Sequence, residues 1–166
     1  MTYKGKAFTF ADNINTDFII SGRYKFSITD MKVLSQHLFE DIRPGFFNEL
    51  TPGASIVVAG INFGMGSSRE QAPCVIKEAG ISCVVAKSFA RIFYRNAFNI
   101  GLALIEADTS SIVEGDLLVV DLSGGFINDL SRVRKIPFSP WNSFQLELIK
   151  TKGIVNYLKK HKKFKI

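Results

Sequence analysis

The stretch Gly60-Ile61-Asn62-Phe63-Gly64-Met65-Gly66-Ser67-Ser68-Arg69-Glu70-Gln71-Ala72-Pro73 constrains this chain more than any other. Ahead of it, Ser55-Ile56-Val57-Val58-Ala59 is an apolar run that reads as a buried strand. Behind it, Val75, Ile76 and Ala79 fall on one helical face, and Gly80 is the expected stop. The order is strand, glycine-rich turn, helix. Ser67 and Glu70 have the spacing of a capping box. On this reading two hydroxyls and a guanidinium stand at the positive pole of a helix, where free N–H groups can hold a carboxylate or phosphate.

The same alternation continues on either side. Tyr3 to Phe10 alternates as a first strand, an Asn- and Asp-rich turn follows, and Phe18-Ile19-Ile20 reads as a short strand. Residues 21–27 read as a loop, Thr29 or Asp30 as the cap of a helix through Val33, Leu34, His37 and Leu38, and residues 41–53 as a loop. Ile81 to Ala86 is a second buried strand; Ser88 is the expected cap of a helix that carries Arg91 and Arg95 and ends before Gly101. Leu102–Ile105, Leu117–Leu122, a strand after Gly124-Gly125 and another within Val133–Phe138 follow. Ser139-Pro140 should open a helix with Phe144, Leu146 and Leu148, and a last helix should run from Gly153 to His161. This is a mixed α/β pattern, read as one domain over residues 1–166 with a basic tail from about residue 159.

Composition removes several classes of function. Hydrophobic residues make up 46% and charged residues 22%, as in a globular protein. The apolar runs are too short to span a bilayer and no secretory pattern opens the chain, so a cytoplasmic location is expected. Cys74 and Cys83 lack CxxC spacing and sit in apolar segments, which suits buried thiols in a reducing compartment. The net charge of +6 owes much to Lys159, Lys160, Lys162, Lys163 and Lys165. Without zinc spacing, an RNP pattern or a recognition helix, these lysines read as a solvated tail, and neither a nucleic-acid nor a membrane partner is expected.

The glycine stretch is not a nucleotide motif. No lysine precedes Ser67, as a Walker loop requires, and Arg69 stands where a dinucleotide fingerprint needs its third glycine. A capped helix after a tight turn needs one serine, whereas here a second serine and an arginine follow. Arginine offers a planar fork that matches a carboxylate. The only histidines are His37, on an apolar helix face, and His161, in the basic tail, so a Ser–His–Asp hydrolase is not expected. A reactive serine here would work as a hydroxyl or alkoxide stabilised by N–H groups and cations.

Gly64-Met65-Gly66-Ser67-Ser68-Arg69-Glu70 with Ala72-Pro73 resembles the GxGSSRE signature of the aconitase superfamily. Asn15-Thr16-Asp17 before Phe18-Ile19-Ile20, Gly22-Arg23-Tyr24, and Lys87-Ser88-Phe89-Ala90-Arg91-Ile92-Phe93-Tyr94-Arg95-Asn96 resemble further segments of its small-subunit branch, in the same order. The nearest resemblance is to the small subunits of 3-isopropylmalate dehydratase and homoaconitase. It implies a swivelling β/β/α domain, a mixed sheet or barrel with flanking helices. It implies no cofactor or metal on this chain, and a large subunit that bears a 4Fe-4S cluster. The implied reaction is dehydration and rehydration of a small hydroxy-di- or tricarboxylic acid, most simply 2-isopropylmalate to 3-isopropylmalate in leucine biosynthesis.

By that resemblance Ser67 is the catalytic base, and Ser68 and Arg69 hold substrate carboxylates, with Arg23, Lys25 and Phe26 in a specificity loop. Asp17, Gln71 and Arg91 are expected in supporting positions. Phe26 in the discriminating place favours an alkyl substituent, as in isopropylmalate or the substrate of another alkylmalate dehydratase; Lys25, read with a shift of one residue, suits an additional carboxylate, as in a homoaconitase. Met65 and Gln71 depart from the family pattern, where Cys or Glu and His are usual. They motivate a contrasting reading, a swivel subunit that binds a carboxylate or a partner without catalysis.

Overall fold

The computed structural model describes residues 1–163. Seven strands form one sheet in the order β4-β3-β2-β1-β5-β6-β7. They are β1 (Thr2–Thr9), β2 (Ser55–Ala59), β3 (Ile81–Ala86), β4 (Leu104–Glu106), β5 (Leu117–Asp121), β6 (Phe126–Asp129) and β7 (Arg134–Pro137). β1 to β4 are parallel, and β5 to β7 continue the sheet antiparallel from β1. Among the described residues, seven helices accompany it: α1 (Thr16–Ile19), α2 (Gly22–Lys25), α3 (Met31–Ser35), α4 (Gln71–Glu78), α5 (Arg91–Ile100), α6 (Ser143–Lys150) and α7 (Ile154–His161). A short 3-10 turn covers Phe46–Glu49.

The continuous apolar runs of β2 and β3 are explained by burial on both faces. Val57, Ala59, Val84 and Ala86 point into one core, with Leu34 of α3, Val75 and Ile76 of α4, and Phe93 of α5. Their neighbours Ile56, Val58, Cys83 and Val85 point into a second core, with Trp141 and Ile149. Ile105 of β4 and Ile136 of β7 come from opposite edges of the sheet yet share this second core. The sheet is therefore curled into a half-barrel.

Several local expectations change. Phe18 and Ile19 belong to α1 rather than a strand, because the Asn15 side chain accepts from the Phe18 amide at 2.8 Å and closes a helical turn. Ile19 and Ile20 are both buried, which removes the alternation of a half-buried strand. The segment read as a loop contains α2, held by an Arg23–Asp41 ion pair and by Tyr24 stacked on His37 with centroids 3.9 Å apart. Asp30 caps α3 as expected. α6 begins later than Ser139-Pro140, at Ser143, where Asn142 and Gln145 form a reciprocal capping box. In the basic segment, Lys159 and Lys160 belong to α7, and Lys165 lies outside the described residues.

Candidate active site

Three connections leave the carboxyl ends of β1, β2 and β3 side by side. Residues 13–16 pair with residues 61–65, which pair in turn with residues 87–90, so the parallel ladder continues past the strands. Its bonds include Gly64 N to Ile14 O at 2.7 Å, Thr16 N to Met65 O at 2.8 Å, Phe63 N to Ser88 O at 3.0 Å and Ala90 N to Phe63 O at 2.9 Å. This is the end of a parallel sheet where ligand sites characteristically form. Ser88 is used here rather than as a helix cap: its hydroxyl accepts from the Asn62 amide at 2.8 Å, and α5 starts after Ala90.

Gly64 and Gly66 make the turn possible. Both have positive φ, +79° and +93°. A Cβ on Gly64 would drive into the Phe93 ring of α5. The chain then runs through Ser67 and Ser68, both exposed, to Arg69. α4 begins only at Gln71, and its N-cap, Glu70, has helical backbone and no side-chain cap bond. The expected Ser67–Glu70 capping box is therefore absent. Ser67 is fixed by its backbone instead, its carbonyl oxygen accepting from the Thr16 hydroxyl at 2.9 Å.

Arg69 is largely buried and anchored on α1. It donates to the Ile20 carbonyl oxygen at 3.1 Å and forms an ion pair with Asp17. A guanidinium carries five donors, so these two partners leave capacity for a ligand.

A cavity of about 490 Å³ opens against this segment, lined on one side by Thr16, Asn62, Gly66, Ser67, Ser68 and Arg69, and on the other by Ala90, Arg91, Ile92, Phe93, Arg95 and Asn96. The second wall is the first turn of α5. The helical pole that serves the cavity is thus that of α5, a 10-residue helix, and not that of α4. Its initial N–H groups have no intrahelical partner and favour an anion. Three guanidiniums reinforce that preference. Arg69 already has Asp17, whereas Arg91 and Arg95 meet no carboxylate within ion-pair distance among the described residues.

The structure thus brings Ser67, Ser68, Arg69 and Arg91 to one cavity and sets Asp17 behind Arg69. Gln71 lies in the first turn of α4, outside the lining. Arg23, Lys25 and Phe26 stand on α2 and at its end, also outside it. Arg23 pairs with Asp41 and lies over the Tyr24 ring at 4.7 Å; Lys25 lies over the Phe26 ring at 5.3 Å, and Phe26 is 83% exposed. The sequence reading gave no role to Thr16, Asn62, Arg95 or Asn96. The spacing of Arg91 and Arg95, four apart on one face of the helix, is the available signal for one of them.

The cysteines stand apart from this cavity. Cys83 is fully buried in β3 and desolvation pushes its thiol up; Cys74 on α4 is raised by burial and then by Glu70. Among the described residues, no three or more His, Cys, Asp or Glu side chains gather in a group able to hold a metal ion. No helix among them is long and apolar enough to cross a membrane.

Residues 47–110 match the family described as Aconitase C-terminal domain. Over 162 residues, 97% of both chains, the sequence is 48% identical to 3-isopropylmalate dehydratase small subunit 1 of Thermotoga maritima. It is 47% identical over 166 residues, the whole of both chains, to 3-isopropylmalate dehydratase small subunit 2 of Archaeoglobus fulgidus. The fold is similar to the crystal structure of 3-isopropylmalate dehydratase from Methanocaldococcus jannaschii, with a TM-score of 0.91 and 44% identity over 98% of this chain and 96% of that chain.

Proposed function

We propose a function from one premise: this chain belongs to the family of 3-isopropylmalate dehydratase small subunits. It is the small subunit of a hydro-lyase that joins a large subunit, in the cytoplasm, and converts 2-isopropylmalate to 3-isopropylmalate. The observation that carries this reading is the meeting of Ser67, Ser68 and Arg69 with the N-terminal turn of α5 across one cavity.

Ser67 Oγ takes the proton from the carbon beside a carboxylate, a double bond forms, and the hydroxyl leaves the neighbouring carbon. Water then adds in the opposite sense, and Ser67 returns the proton to the carbon that lost the hydroxyl. Serine is a weak base alone. The free N–H groups of α5 and the nearby guanidiniums stabilise the negative charge that it needs. Ser68 and Arg69 hold carboxylate oxygens, and Asp17 fixes the fork of Arg69. A 4Fe-4S cluster, which the family resemblance assigns to the large subunit, would supply Lewis-acid chemistry for the departing hydroxyl. Among the described residues no group of three or more His, Cys, Asp or Glu side chains could hold such a cluster.

The test is Ser67→Ala, reconstituted anaerobically with the large subunit and followed by the absorbance of the unsaturated acid. Turnover should fall at least about 1,000-fold while the complex still assembles. Undiminished turnover overturns Ser67 as the base. A wild-type complex inert toward every hydroxy acid in a panel would instead favour a non-catalytic carboxylate-binding subunit, the reading that Met65 and Gln71 motivate.

A further inference from the structure

On the far side of α5 lies a second concavity of about 510 Å³, between that helix, the end of β4 and the connection from β7 to α6. Its walls are aromatic, with Phe89 and Tyr94 on one side and Phe138 and Trp141 on the other. They are stiffened from behind by Phe98, which stacks on Tyr94 at 6.1 Å and meets Trp141 edge-on at 6.0 Å. Arg91 and Arg95 line both this groove and the Ser67 cavity, so the two concavities adjoin at these two side chains. Ile92, in the wall of the Ser67 cavity, is 55% exposed. Glu106 lines the groove without a cationic partner among the described residues; burial, and after it the Glu106 carboxylate, raises the Tyr94 phenol.

The proposed function requires the large subunit to close over Ser67, which is exposed in this chain. A surface that covers the Ser67 cavity, with its exposed Ile92, and passes Arg91 and Arg95 next meets this groove. Aromatic pockets with arginines beside them are where association energy concentrates in protein interfaces. Two unpaired guanidiniums at one side and an unpaired carboxylate at another also prescribe the charges of whatever sits there.

We propose that this groove is a docking site for the large subunit, receiving a segment that inserts an aromatic or large aliphatic side chain and presents a carboxylate to Arg91 and Arg95. The proposal rests on the reading above only in taking the large subunit as partner.

Two exposed groove residues outside the catalytic cavity test it, through Ser139→Trp, which fills the mouth, and Glu106→Lys, which reverses its lone negative charge. The large subunit is titrated anaerobically with each intact small subunit, without substrate, and association is read by interferometry. Each variant should melt like the wild type and raise the Kd at least tenfold, with kcat and KM within twofold of wild type once the large subunit saturates. If Ser139→Trp misfolds, Glu106→Lys carries the test. Unchanged Kd, or lost turnover at saturation with unchanged Kd, overturns the proposal. Because association is measured apart from turnover, a wild-type complex that assembles but does not react counts against the proposed function and leaves the groove's role standing.

Discussion

The Thr16 hydroxyl donates to the Ser67 carbonyl oxygen across 2.9 Å, a link between residues 51 positions apart. Thr16 is 2% exposed, so its hydroxyl has little water to fall back on. Thr16→Val keeps the shape and removes the donor. It should cost about 1–3 kcal/mol in chemical denaturation, the penalty of a carbonyl left unpaired. Turnover of the reconstituted enzyme should fall roughly 10- to 100-fold, because a serine displaced by a fraction of an ångström is misaligned for proton transfer. Thr16→Ser, which retains the hydroxyl, should recover most of both.

Gly64 couples the turn to α5. In Gly64→Ala the left-handed backbone becomes unfavourable by about 1–2 kcal/mol, and the added methyl group presses on the Phe93 ring for about 1–3 kcal/mol more. A loss of roughly 2–5 kcal/mol is expected in urea unfolding. Any carboxylate binding that survives should weaken, since α5 is one wall of the cavity.

Acid should loosen the fold around Arg43. The Arg43 guanidinium bonds both Glu49 oxygens and one oxygen of Glu114, whose other oxygen accepts from the Thr9 amide and hydroxyl. The Arg43 hydrogen bond holds the Glu49 carboxyl below its ordinary value of 4.5. Burial pushes Glu114 upward, but its bonds from Arg43 and Thr9 outweigh that and leave it lowered too. Both carboxyls therefore contribute stability above their unfolded value, and that contribution disappears as pH falls through the lower folded values. The Tm should drop between about pH 5 and pH 3. Glu114→Gln should begin with a lower Tm at neutral pH and decline less steeply.

Substrate choice is expected to follow α2. Phe26 is exposed and Lys25 lies over its ring, so the pair presents an apolar surface with one cation. With a panel of 2-substituted malates and homocitrate, Phe26→Arg should raise kcat/KM for the acid with the additional carboxylate relative to isopropylmalate. Lys25→Leu should shift the ratio the other way. A difference of about 10-fold either way is the scale of one contact between substituent and loop.

The parallel half of the sheet was legible because β2 and β3 are short, β-branched apolar runs, as suits strands buried on both faces. α1 and α2 were not, since four residues are too few to display a helical period and tertiary contacts fix them: Asn15 closes one, and Asp41 and His37 hold the other. Ser67, Ser68 and Arg69 could be picked out as candidates for an anion site from their types alone. Which helix end they face was not. Ser67 and Glu70 carry the spacing of a cap, and nothing local reveals that Thr16 and α5 are their true neighbours. Arg95 and Asn96 escaped for the same reason, because they enter the cavity only through the packing of α5 beside the glycine turn.

The ladder that carries residues 13–16, 61–65 and 87–90 past the ends of their strands also governs when the protein becomes competent. Its three rails come from places separated by tens of residues, and each supplies something the others lack: Thr16, the serines, the pole of α5. Long-range pairings of this kind form late, after the cost of closing the intervening loops has been met. Anion binding and the parallel sheet should therefore emerge in the same kinetic phase of refolding, and no excised stretch of the chain that omits one rail can be a miniature of the whole.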